Sequence, residues 1–165
     1  MNEDFLMTIS PFVRRARIMQ TENLSGRWMD YDHCVTGIID GEADFVIQDT
    51  KYHLVKGDII IIPPMCKHKI VSTTETPLLQ YIFHFDFFYY KSRSNFSEMM
   101  SIEEFLQNNK VPEEENIMNN TPLVVHLGSQ ELLEFQTSFL HLLNEYKDKN
   151  SLYNLNMKSL CIKIL

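Results

Sequence analysis

Residues 57–68 read GDIIIIPPMCKH, and this stretch decides the fold class. Gly57-Asp58 is typical of a tight turn, because glycine tolerates a positive φ and aspartate caps turns with its carboxylate. The run of β-branched isoleucines that follows favours a strand buried on both faces. Pro63 and Pro64 then remove two backbone donors, which ends strand pairing. The sequence therefore predicts a short central strand between two turns.

The composition fits one globular domain with its own core. The 165 residues are 44% hydrophobic and 12% aromatic, and no apolar run is long enough to cross a bilayer. A formal net charge of −7 disfavours direct contact with a phosphate backbone. The N-terminus lacks the pattern of a signal peptide, and the 3 cysteines show no paired spacing. Reduced thiols and a cytoplasmic location are expected.

Short strands separated by turn signals surround the isoleucine run, which indicates a β-sandwich or barrel. The predicted strands cover residues 33–39, 43–48, 51–55, 59–62, 69–73, 78–88 and 123–127. We expect an arm and a first strand in residues 1–25 and a barrel in residues 26–128. A polar excursion, with a short helix over 101–108, is predicted to interrupt the barrel at residues 91–120.

Residues 129–165 are predicted to form two amphipathic helices that mediate dimerisation. Ser129 is the predicted N-cap of the first helix. The apolar face of that helix, with three- and four-residue steps, comprises Leu132, Phe135, Phe139, Leu142, Leu143 and Tyr146. The second helix begins near Leu152 and carries Leu155, Leu160 and Ile164. Because the last residues, KSLCIKIL, contain no helix stop signal, we expect the natural chain to continue.

The spacing of Gly57, five residues, Pro63, four residues and His68 resembles the second motif of the cupin barrels. In metal cupins this last histidine joins ligands from a first motif, which are two histidines one residue apart and a glutamate. His68 occupies its position well. Met65 departs from the motif, because it stands where a glycine is usual.

The first cupin motif is altered at every ligand position. Counting back from Gly41, the histidine positions fall on Trp28 and Asp30, and the glutamate position falls on Cys34. One imidazole with one carboxylate and one thiol matches a hard or borderline metal site poorly. The sequence therefore predicts neither a metal nor another cofactor.

The polar and aromatic residues of the barrel favour a small-molecule site instead. Alternation along residues 80–85 places one set of side chains inside the barrel and the other set outside. The entry strand offers a guanidinium fork, an indole for stacking and a carboxylate acceptor. A barrel of this size can enclose one small ligand. The predicted ligand contacts are Arg27, Trp28, Asp30, His68, Gln80 and His84.

The whole chain resembles the N-terminal sensing domain of AraC-type bacterial transcription regulators. The resemblance covers most of residues 10–165: an arm, GDIIIIPPMCKH, a strand ending in YIFHFDFF, and two amphipathic helices. It implies a mainly β fold with C-terminal α structure, namely a cupin-type double-stranded β-helix (jelly-roll barrel) followed by two helices. DNA would be bound only through a helix-turn-helix domain that this chain does not contain.

The resemblance implies an effector-sensing and dimerisation domain without enzymatic activity. The effector would be a small polar molecule, with a carbohydrate as one candidate. One alternative is a small metal-dependent cupin enzyme, either an isomerase or a dioxygenase, against which the missing first-motif histidines count. A stand-alone sugar-binding module is a third interpretation, and it requires the natural chain to end near Leu165.

Overall fold

The computed structural model describes residues 7–93 and 111–165. In these ranges the strands are β1 (Phe12–Thr21), β2 (Ser25–Trp28), β3 (His33–Asp40), β4 (Ala43–Ile47), β5 (Thr50–Leu54), β6 (Asp58–Ile62), β7 (His68–Ser72), β8 (Leu78–Asp86) and β9 (Leu123–His126). A short 3-10 segment, Glu113–Met118, precedes β9, and the helices are α1 (Ser129–Asp148) and α2 (Tyr153–Ile164). The predicted helix over 101–108 lies outside the described residues.

The strands form two antiparallel sheets that face each other. The five-stranded sheet has the order β1-β8-β3-β6-β9, and the four-stranded sheet has the order β2-β7-β4-β5. This arrangement confirms the predicted fold class, a jelly-roll barrel followed by two helices. The expected first strand and the entry strand with Arg27 and Trp28 are β1 and β2, which belong to different sheets, whereas Asp30 lies in the loop after β2. Within the described ranges, neither helix is long and apolar enough to span a membrane.

The interior of the barrel is apolar over most of its length. Ile60 and Ile62 of β6 point inward and meet side chains from both sheets. Burial of one such side chain stabilises a fold by about 1.5–3 kcal/mol. The other buried members of this inner core are Cys34, Ile38, Ala43, Phe45, Ile47, Leu54, Cys66, Ile70, Leu78 and Ile82.

A second core lies between the five-stranded sheet and the helices. Ile59 and Ile61 enter it from β6, so this strand is buried on both faces as predicted. From β8 come Phe83 and Phe85, which share the face of this strand that packs outside the barrel. The helices contribute the buried side chains of Phe135, Phe139, Leu142, Leu143, Met157 and Cys161.

The turn before β6 has the predicted chemistry. Gly57 adopts a φ of +96°, which an L side chain would strain. The Asp58 carboxylate accepts a hydrogen bond from the Val55 N–H at 2.8 Å and lies 2.7 Å from Nδ1 of His126. This turn therefore joins the start of β6 to the end of β9.

Both helices differ in detail from the prediction. Gly128, and not Ser129, is the N-cap of α1, and its N–H donates to the Glu131 carboxylate at 2.7 Å. Glu131 thus supplies the carboxylate half of a capping box, while glycine offers no side chain to accept from the N–H groups of the first turn. In α2 the predicted Leu155 is 62% exposed, whereas Met157 is buried.

Buried charges close one end of the five-stranded sheet. Arg14 lies at a β-bulge in β1, where the register shifts between Val13 and Arg15. A bulge redirects a side chain, and the Arg14 guanidinium donates to the carboxylate of Asp86. Arg93 is 2% exposed and donates to the same carboxylate from Nε at 3.1 Å and from a terminal nitrogen at 3.0 Å.

Glu115 anchors the segment Glu113–Met118 to the end of β8. Its two carboxylate oxygens accept hydrogen bonds from the N–H groups of Phe87 at 2.8 Å and Phe88 at 3.0 Å. Burial raises the pKa of Glu115 to about 7, although these two bonds oppose the shift. His33 Nδ1 lies 3.4 Å away, and burial lowers the pKa of His33 to about 4.

We predict that the stability contributed by Glu115 depends on pH. Its folded pKa of about 7 exceeds its usual value of 4.5, so the folded chain holds this proton more tightly than the unfolded chain. That contribution is fully present below about pH 4.5 and is lost as the pH rises through about 7. The free energy of unfolding of Glu115→Gln minus that of wild type should therefore increase as the pH rises from about 4.5 to about 7. Urea unfolding at a series of pH values measures this difference.

Glu114→Gln is the matched control, because Glu114 is the exposed neighbour of Glu115. Its difference from wild type should stay constant with pH. A constant difference between Glu115→Gln and wild type would contradict the raised pKa.

Candidate functional site

An open depression of about 810 Å³ lies where β2, β7 and the end of β4 meet. Its lining brings together three of the predicted contacts, Arg27, Trp28 and His68. Lys67 and Lys69 add two further cations, so the lining is more basic than a chain of net charge −7 would suggest. The depression combines an aromatic surface with several hydrogen-bond donors.

Trp28 covers one side of this depression. Its ring lies 6.2 Å from the His68 ring with an interplanar angle of 23°. The indole folds back over Gly26, where a Cβ atom would lie 2.1 Å from the ring. The absence of a side chain at Gly26 therefore provides the space in which the indole lies.

Beside the depression four side chains meet, which we call the His84 cluster: Asp30, Cys34, His68 and His84. One ligand-type atom from each of Asp30, Cys34 and His84 lies within 4.8 Å of the others. Cys34 Sγ is 3.8 Å from Nε2 of His84, and Nε2 of His68 is 3.8 Å from the Asp30 carboxylate. Cys34, His68 and His84 are buried, and Asp30 is partly exposed.

The backbone fixes these side chains from several directions. The β3–β8 register places Cys34 opposite His84. The carbonyl of Asp30 accepts a hydrogen bond from the Met65 N–H at 2.7 Å. Met65 has a φ of 62°, so it keeps the left-handed conformation for which a glycine is usual at this motif position.

His84 is held by a carboxylate behind it. Its Nδ1 lies 3.0 Å from the Asp32 carboxylate, and Asp32 lies 3.7 Å from Nε of Arg14. Burial acts to lower the pKa of His84, but Cys34 and Asp32 outweigh it and raise the pKa well above the usual value.

Gln80 lies apart from the other predicted contacts. It faces the inside of the barrel from β8, four residues before His84, and is completely buried. Among the described residues, neither atom of its amide has a hydrogen-bond partner. The six predicted contacts thus divide among the depression, the His84 cluster and the barrel interior.

Sequence reasoning missed four residues of this region. Cys34 was not among the predicted contacts, and neither was Asp32, Lys67 or Lys69. The alternation of β3 could have placed Cys34 inside the barrel, and that of β7 could have placed Lys69 beside Arg27. Asp32 gave no signal, because only the fold brings its loop behind His84.

The strand order defines a cupin-type barrel, and this barrel carries two polar sites. Residues 24–93, which include β2 to β8, match the family model described as the AraC-like ligand binding domain. The resemblance to AraC-type sensing domains that was drawn from the sequence is therefore confirmed over this part of the chain. A comparison with curated proteins found no match.

Several solved structures resemble the barrel. The cupin domain of Cnp3 from Schizosaccharomyces pombe is 14% identical, with a TM-score of 0.40 over 42% of this chain and 53% of that chain. The plu4264 protein from Photorhabdus luminescens is 24% identical, with a TM-score of 0.38 over 42% and 57%. ToxT from Vibrio cholerae is 9% identical, with a TM-score of 0.49 over 76% and 46%. The chain thus spans about half the length of these solved chains.

We predict that Gly26→Ala displaces the indole of Trp28. The new methyl group would occupy ring space, so the indole must leave its position against His68. Trp28 is the single tryptophan of the chain, so its emission reports on this site alone. The emission maximum should shift to longer wavelength, while Ser25→Ala, an exposed neighbour, should leave it unchanged. An unaltered spectrum in Gly26→Ala would contradict the geometry.

Proposed function

We propose that this chain is the effector-sensing part of an AraC-type transcription regulator that acts in the bacterial cytoplasm. The observation that carries the proposal is the family match itself, because residues 24–93 contain every strand that lines the depression and the His84 cluster. The proposed effector is a small polar molecule, and a carbohydrate is one candidate. DNA would be contacted by a separate helix-turn-helix domain.

The chemistry of the barrel supports a polar effector. Trp28 offers an apolar face for stacking, and Arg27 offers a fork of donors beside it. Lys67 and Lys69 add cationic donors to the same lining. These donors suit a polar effector better than a purely apolar one.

A sensor is proposed in preference to a cupin enzyme. The family match describes ligand binding, and none of the first-motif ligand positions, Trp28, Asp30 and Cys34, holds its usual histidine or glutamate. Effector binding would then act by changing the population of helix arrangements, which requires different affinities for the two states. No bond of the effector needs to be broken.

Dimerisation through the helices is proposed on the basis of their exposed apolar residues. Leu133 of α1 is 63% exposed, and Leu140 is 39% exposed one heptad later. On α2, Leu155 and Ile162 repeat this seven-residue spacing at 62% and 44% exposure. Two stripes with this spacing suit a helical interface with a second copy of the chain.

We predict that effector binding depends on the depression. For a ligand found by a thermal-shift screen, Trp28→Ala and His68→Ala should each weaken binding, because a stacking surface or a buried hydrogen bond is lost. The expected cost is about 1–3 kcal/mol, or about five- to a hundredfold in Kd. Tyr89→Ala, which removes an exposed aromatic outside the depression, is the control. Unchanged affinity in both test variants, with the fold intact, would place the site elsewhere.

We also predict that the chain self-associates through the helices. Light scattering at about 100 times a micromolar Kd should give a dimer mass. The double variant Leu133→Lys and Leu155→Lys should be monomeric, because two charges would be buried at the interface. Leu123→Lys, at a residue of β9 that is 41% exposed, is the control and should stay dimeric. A monomeric wild-type chain would contradict the proposal.

A further inference from the structure

We infer that the His84 cluster is a binding site for one borderline divalent metal ion of the Zn²⁺ class. The ligands would be Cys34 Sγ, His84 Nε2 and the Asp30 carboxylate, with His68 Nε2 as the fourth. This inference does not rest on the proposed regulatory function. It revises the sequence-based expectation of no metal, because counting along the two cupin motifs left out His84, which lies outside both of them.

The distances in the cluster suit a single ion. Two atoms bound tetrahedrally to one zinc at about 2.0–2.3 Å lie about 3.3–3.8 Å apart. Cys34 Sγ and His84 Nε2 are separated by 3.8 Å, and so are His68 Nε2 and the Asp30 carboxylate. The ligand-type atoms of Asp30, Cys34 and His84 are therefore close enough to share one ion, and His68 adjoins this group through Asp30.

Both imidazoles are oriented as metal ligands usually are. His84 has its Nδ1 on the Asp32 carboxylate at 3.0 Å, which leaves Nε2 directed at Cys34. His68 has its Nδ1 on the carbonyl of Cys66 at 3.0 Å, which leaves Nε2 directed at Asp30. A carboxylate or carbonyl behind each ring fixes the tautomer and orients the free nitrogen toward the ion.

The donor set selects the class of ion. One thiolate, two imidazoles and one carboxylate favour Zn²⁺ or a related first-row ion over Mg²⁺ and Ca²⁺, which prefer oxygen. The charge also balances, because the ionised forms of Cys34 and Asp30 neutralise a divalent cation. Asp32 is compensated separately by Arg14 at 3.7 Å.

Four protein ligands would close the coordination sphere. Closed sites in proteins hold structure, whereas catalytic zinc keeps one position open for water or substrate. The ion would join β3, β7, β8 and the loop that carries Asp30, and it would fix His68 beside Trp28. The site therefore suits a structural or sensing ion and gives no support to hydrolytic chemistry.

The test titrates chelator-treated chain with Zn²⁺ by calorimetry and with Co²⁺ by absorption spectroscopy. We expect one ion per chain, tetrahedral Co²⁺ bands, and a charge-transfer band from a thiolate ligand. Cys34→Ser should abolish the charge-transfer band. Asp32→Asn, which removes the charge of the carboxylate behind His84 but leaves all four proposed ligands in place, should weaken Zn²⁺ binding about 10–100-fold. Trp28 emission should change in step with the first equivalent.

Cys66→Ser is the matched control, since Cys66 is also buried but lies outside the cluster. It should retain one ion and the full charge-transfer band. Circular dichroism verifies that each variant folds, and His84→Gln provides a second test of a ligand with similar volume. The inference is wrong if neither ion binds, or if binding survives in both Cys34→Ser and His84→Gln. It is also wrong if Cys34 is alkylated faster than Cys66 while no ion binds, because Cys34 would then be an activated thiol and not a metal ligand.

Discussion

The antiparallel register between β3 and β8 is the constraint on which both cores and the candidate site depend. It sets Cys34 opposite His84 on the inner face and Val35 opposite Phe83 on the outer face. Because side chains alternate along a strand, a slip of one residue would exchange the two faces. Phe83 would then enter the barrel, and His84 would lie under the helices. One pairing therefore determines where the apolar surface and the polar chemistry of this domain lie.

Buried charged side chains at one end of the five-stranded sheet support the pairing of β3 with β8. Asp32 lies between His84 and Arg14, while Asp86 lies between Arg14 and Arg93. Removing one partner of such a set leaves an uncompensated charge in a poorly solvated position. The bulge at Arg14 is thus linked to the candidate site, since it brings the guanidinium to both carboxylates. These buried charges orient the imidazole of His84, and the apolar core holds β8 in place.

The sequence predicted those parts of the fold that local chemistry determines. The turn at Gly57, the doubly buried isoleucines and the apolar face of α1 follow from residue type and spacing. The N-cap at Gly128 was missed because glycine has no capping side chain, and the bond made there is from its N–H to the Glu131 carboxylate. The His84 cluster could be predicted only in part, because motif counting reached Asp30, Cys34 and His68 but not the strand pairing that adds His84. The basic residues of β7 and the depression beside them could not be predicted from the sequence, because only the pairing of strands in the folded sheet brings them together.

The two faces of β8 have a consequence for how this domain could transmit a signal. His84 belongs to the cluster, while its neighbours Phe83 and Phe85 belong to the layer on which α1 lies, with Phe139 of α1 centred 6.4 Å from Phe83. Consecutive residues of one strand share a nearly rigid backbone. A tilt of β8 that accommodates an occupant would shift the floor beneath α1 by a comparable amount. The His84 cluster and α1 therefore lie on opposite faces of one strand, and no relay of side chains is needed between them.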